Sequence, residues 1–114
     1  MHEASLALHL VHLACQAATE AGEHRVTAVR VRYGVLSGVS PSAFQAAFSM
    51  AAAGTPLAQA RLELEEGPLI AHCAVCQCAV TLRGLLNWSC PVCGQATHDL
   101  IAGRDVELIA LEVE

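Results

Sequence analysis

Two tight cysteine pairs constrain this chain more than anything else in it. Cys73 and Cys76 enclose Ala74-Val75, and Cys90 and Cys93 enclose Pro91-Val92, with residues 77 to 89 between the pairs. A two-residue spacer makes a turn that aims both sulfurs at one ion, and two such turns complete a tetrahedron. Gly94 offers the positive φ that lets backbone N–H groups face the sulfurs. Gln77 holds the matching place in the first turn, where glycine would be easier. The spacing predicts a structural Zn(II) site. Four thiolates leave no open position, so the metal is expected to staple a segment with little core of its own rather than to catalyse. Iron in a rubredoxin-like site is a rival, because the Cys-Pro-Val-Cys-Gly turn fits either metal. Against it, Trp88 is the module's one aromatic residue available to shield a redox centre. A nucleic-acid-binding ribbon is a second rival. Against that, Arg83 is the only arginine between Pro68 and Gly103, and phosphate contacts supply most non-specific affinity.

Charge and composition narrow the field. Net charge is −5 over 114 residues, and all six basic residues are arginine. A phosphate-binding loop needs a lysine, so this chain is not expected to bind nucleotide that way. No basic face suggests nucleic acid. Hydrophobic residues make up 54% and charged ones 15%, which excludes a disordered chain. No apolar run approaches the length of a membrane span. No basic segment precedes the first apolar stretch, so no secretory signal is expected. Two paired thiol motifs without such a signal favour metal in a reducing, cytoplasmic setting.

The rest of the chain reads as alternating helix and strand. From Glu3 to Ala21 the pattern is helical, with His2, Ser5, His9, His12, Gln16, Thr19 and Glu20 on one polar arc. Leu6, Leu10, Leu13, Ala14 and Ala17 lie opposite and are expected inward. Gly22 ends the helix. Arg25 to Tyr33 alternates as a strand. Ser40-Pro41 starts a second helix, with Ser40 as N-cap, running through Phe44, Phe48 and Met50 to Gly54. Arg61 to Glu66 and Val106 to Val113 read as strands with one buried face. The simplest assembly is α+β: two helices on a three-stranded sheet, with the four-cysteine, zinc-ribbon-like module inserted between the last two strands. The expected division is 1–67 plus 104–114 for the helix-sheet domain and 68–103 for the zinc module.

Four further donors stay open at this stage. Cys78 could replace Cys76 as a ligand, but the two-residue turn favours Cys76. Cys15, on the edge of the first helix, reads as a small buried residue. His72 and His98 flank the module and read as surface histidines, though either could meet a metal at the junction.

The opening Met1-His2-Glu3 carries a different chemistry. A free terminal amine, the deprotonated amide of His2 and its imidazole can bind one ion through fused rings, with Glu3 supplying a further donor. Nitrogen donors in a square plane suit Ni(II) or Cu(II). His2 and His9 lie about two helical turns apart, roughly 10 Å along the axis, and cannot share an ion.

Together these features resemble the HypA/HybF family. The residues that carry the resemblance are Met1-His2-Glu3 opening a helix, Tyr33-Gly34 to Ser37, Pro41 to Phe48, both cysteine pairs, Gly103-Arg104 and the final Leu-Glu-Val-Glu. It covers essentially the whole chain. Ala4 departs from the larger apolar residue expected there, and Ser40 stands where some members have an acidic residue. The resemblance implies a metallochaperone, not an enzyme. It would deliver Ni(II) as cargo for [NiFe]-hydrogenase maturation, working with a HypB-like GTPase and the hydrogenase large subunit, and in some organisms with urease. It implies His2 as nickel ligand, helped by the Met1 amine and Glu3, and Cys73, Cys76, Cys90 and Cys93 as zinc ligands. The alternative is a zinc-ribbon protein-interaction module without nickel delivery.

Overall fold

The structure, a computed structural model, describes residues 3–22 and 25–114. Element order is α1 Glu3–Glu20, β1 Val26–Gly34, α2 Pro41–Ala52, β2 Arg61–Gly67, β3 Ile70–Cys73, β4 Cys78–Thr81, β5 Asp99–Ala102 and β6 Val106–Val113. These form two three-stranded sheets, ordered β2-β1-β6 and β4-β3-β5. The chain divides into two compact units. One comprises the chain up to Arg32 with Gly38–Glu65 and Glu107–Glu114; the other comprises Tyr33–Ser37 with Glu66–Val106.

In the first unit, α1 and α2 pack against each other. The core of this unit includes Leu6, Leu10, Val11, Val26, Val29, Val31, Phe44, Phe48 and Leu57. Phe44 and Phe48, one helical turn apart, set their ring centroids 6.2 Å from each other. α1 buries Leu6, Leu10 and Ala14 as the sequence suggests, together with Ala7, Val11 and Ala18. Leu13 and Ala17, expected inward, are exposed. Met50 on α2 is likewise 80% exposed. An alanine-rich helix offers apolar side chains on most of its circumference, and the neighbours choose which arc is covered.

Local chemistry starts α2 where expected. Ser40 is extended, accepts from Ala43 N–H, and precedes Pro41. The Glu114 N–H donates to Arg25 O and the Thr27 hydroxyl donates to Glu112 O, so β1 and β6 run antiparallel. The ion pairs Arg30–Glu63 and Arg32–Glu65 hold a constant offset between β1 and β2. That offset fits parallel neighbours joined by the α2 crossover. Arg61 completes this lattice with Glu63 and Glu112. These pairs are exposed, so each adds little stability.

In the second unit, β3 pairs antiparallel with both β4 and β5. The sequence alone points only to turns and cysteines here. The strands are four residues long, too short to print a readable period. A small core of Leu69, Ala71, Val80 and Leu82 joins the buried Cys73 and Cys90. Gly103 has φ 139°, and its carbonyl accepts from Leu36 N–H at 2.7 Å. No described helix is long and apolar enough to cross a membrane.

Candidate metal centre

The β3–β4 turn supplies Cys73 and Cys76, and the segment ahead of β5 supplies Cys90 and Cys93. Each knuckle is closed by a residue of positive φ, Gln77 at 54° and Gly94 at 78°. Among described residues, Gln77 is the only non-glycine in that conformation. Such a residue is tolerated where the surroundings demand the turn. The Cys76 N–H points at Cys73 Sγ and the Val92 N–H at Cys90 Sγ, both at 3.4 Å. Gly94 N–H donates to Cys90 O, and Cys90 N–H donates to Gln95 O, locking the second turn.

The four sulfurs converge. All lie within 4.8 Å of one another, and among described residues no other group of three or more potential ligands does so. Cys73 Sγ is 3.6 Å from Cys93 Sγ, and Cys76 Sγ is 3.9 Å from Cys90 Sγ. A zinc–sulfur bond of about 2.3 Å sets tetrahedral sulfurs about 3.8 Å apart. The donor set therefore fits Zn(II) in chemistry and in spacing. Electrostatics agree. The backbone N–H of Cys76 leads in drawing the Cys73 thiol down to about 6. The Cys93 N–H leads in lowering Cys90. Cys76, hydrogen-bonded to the Cys93 thiol and desolvated, is pushed up to about 12. Four thiols in this volume cannot all ionise unaided, and a divalent cation removes that conflict.

The other candidate residues are dispersed. Cys78 is exposed and stands outside the four. Cys15 is half-buried on α1, not buried as the sequence suggests. His98 stacks on Trp88, with centroids 5.8 Å apart. His72 is half-buried on β3, where it pairs with Ala79 and Asp99. Neither histidine joins the sulfur cluster. Met1 and His2 lie outside the described residues. Glu3 opens α1, and its Oε2 accepts the Ser40 N–H at 3.1 Å. Sequence reasoning missed this tie between the first turn of α1 and the cap of α2. The available signal was that Glu3 falls toward the apolar side of its helix, where a carboxylate needs a partner.

Comparison with known proteins decides the family. The family model described as "Hydrogenase/urease nickel incorporation, metallochaperone, hypA" matches residues 1–113. The chain belongs to the HypA family. The hydrogenase maturation factor HypA of a Roseiflexus species is 46% identical over 114 residues, spanning all of this chain and 93% of that protein. The Chloroflexus aggregans factor of the same name is 45% identical over 112 residues, 98% of each chain. The solution structure of the Ni metallochaperone HypA from Helicobacter pylori superposes with a TM-score of 0.76 at 24% identity. That match covers 99% of this chain and 97% of the other, and establishes the shared fold. Membership makes this chain a nickel-incorporation metallochaperone of hydrogenase maturation.

Proposed function

We propose that the chain carries Ni(II) on its first three residues and keeps a separate, permanent zinc in its cysteine module. The observation that carries this reading is the closed sulfur cluster within a HypA-family chain. Four thiolates around one ion leave nothing for cargo to enter, so a transferable metal needs another donor set. Met1, His2 and Glu3 supply one: the terminal amine, the His2 amide nitrogen and imidazole, and a carboxylate. The Ser40 N–H steadies the Glu3 carboxylate at the head of α1. Cys73, Cys76, Cys90 and Cys93 hold the zinc. Residues 1–67 with 104–114 form the nickel-handling part, and residues 68–103 the zinc part. The protein performs no catalysis of its own. It works in the cytoplasm with a HypB-like GTPase, which supplies the directionality that a passive chelate lacks, and passes nickel to the [NiFe]-hydrogenase large subunit.

The test is a nickel titration of zinc-loaded protein. His2→Ala removes the imidazole and leaves the amine without its chelate ring, so tight 1:1 nickel binding is lost while zinc stays. One added N-terminal residue does comparable damage by changing ring size. Wild-type nickel affinity in His2→Ala, with loss in His98→Ala, would move the site to the zinc module.

A further inference from the structure

The β3–β4 hairpin closes on two cysteines. Cys73 and Cys78 are direct register partners in this antiparallel pair. Directly opposed residues project to the same face of the ladder. Their Cα atoms lie roughly 4.5–5.5 Å apart in such a pair, within the roughly 4.4–6.8 Å that a disulfide spans. The two thiols differ in every other respect. Cys73 is buried among the four clustered sulfurs, whereas Cys78 is exposed and outside them. An unligated, solvent-facing thiol thus sits opposite a buried one that the zinc reading makes a ligand.

We propose that Cys78 is a peroxide-sensing thiol that ejects the zinc by forming a disulfide with Cys73. The proposal rests on the four-cysteine zinc reading. Peroxide oxidises Cys78 first, because the metal ties up the four ligand sulfurs and burial further shields Cys73 and Cys90. One oxygen transfers to Cys78 Sγ, giving a sulfenic acid and one water. The Cys73 thiolate then leaves the zinc and attacks Cys78 Sγ, expelling hydroxide, which takes a proton to give a second water. Two thiols lose two electrons in total and one peroxide is reduced to two waters. The zinc keeps three thiolates and an open position, and a chelator can remove it. Thiol reductant reverses the step and lets zinc return.

The experiment uses the full-length, zinc-loaded protein. Zinc content is measured first; hydrogen peroxide is then added with a chromogenic chelator present, and disulfides are mapped by peptide mass. The expected result is zinc release with a single Cys73–Cys78 bridge, reversed by reductant and zinc. Cys78→Ser and Cys78→Ala keep full zinc before treatment and release it about tenfold more slowly, since the sensing thiol is gone. Cys15→Ser behaves as wild type. Untreated protein without zinc would overturn the zinc reading and the proposal together. Zinc present at full stoichiometry, but released equally fast from wild type and both Cys78 variants, would overturn the proposal alone. A first disulfide joining two of the four ligands, with Cys78 left free, would do the same.

Discussion

Gly34 has no room for a side chain. A Cβ there would overlap the carbonyl carbon and oxygen of Gly103, with Arg104 N at 2.7 Å. Those atoms are backbone and cannot rotate away. Gly34 N–H also donates to Asp105 O at 2.8 Å, so the close approach is a hydrogen-bonded crossing. Gly34→Ala is expected to destabilise the protein by about 3 kcal/mol, the upper end for overpacking. Denaturant melts of the two proteins check this, and a loss below about 1 kcal/mol would show that the crossing can relax. A second residue-scale consequence concerns protons. Ordinary thiols near pKa 8.5 are mostly protonated at pH 7.5, so zinc taken up by an unfolded module displaces nearly four protons from its four thiols. In the folded turn the Cys76 N–H draws Cys73 down to about 6, and that thiol has no proton to give at this pH. Metal uptake by a module that folds only with its zinc should therefore release nearly four protons. Calorimetry in buffers of different ionisation enthalpy counts them, and a count of about three or fewer would mean that the Cys76 N–H already holds the Cys73 sulfur before metal arrives.

Among the elements, α2 shows what the sequence could and could not tell. Ser40-Pro41 is a start signal written in backbone chemistry, and the structure begins the helix there. The same holds for β6, whose span Val106–Val113 was readable from Ile109, Leu111 and Val113 recurring at every second residue. Burial was harder to read. Phe44 is fully buried, yet Met50, equally apolar, is mostly exposed. Periodicity gives a helix an apolar side but not the width of its neighbour. The four-residue strands of the second unit escaped notice for a different reason. They are held by pairing and by the sulfur cluster, not by a pattern along the chain. The cysteine site itself was legible because ligand spacing is a local property. The Glu3–Ser40 tie was not, because it joins residues 37 positions apart. Phe44→Ala should cost about 3–5 kcal/mol through the cavity it leaves under α2. Zinc stoichiometry should be unchanged at temperatures where the first unit stays folded. A variant that lost zinc as readily as helical signal would show that the two units melt together.

At the scale of the whole molecule, the two units are expected to depend on metal unequally. The first has two aromatic rings and many aliphatic side chains inside. The second has Leu69, Ala71, Val80 and Leu82 buried around its sulfurs, too little to hold its 46 residues without a staple. Zinc removal by a strong chelator at neutral pH should abolish amide protection in Glu66–Val106. Protection in Glu3–Glu20 and Pro41–Ala52 should persist. Hydrogen exchange with mass spectrometry reads both regions in one experiment, and retained protection in β3 and β4 after full zinc loss would contradict a structural role for the metal.

Trp88 is the chain's only tryptophan. It lies against His98, and its indole N–H donates to Leu85 O at 2.6 Å. Excited selectively at long wavelength, the protein therefore emits from one place, two residues ahead of Cys90 in the sulfur cluster. The indole is an optical gauge of the zinc module that nature has already installed. Its emission should shift when zinc leaves and recover when zinc returns, so a single cuvette can follow the module's metal without a label.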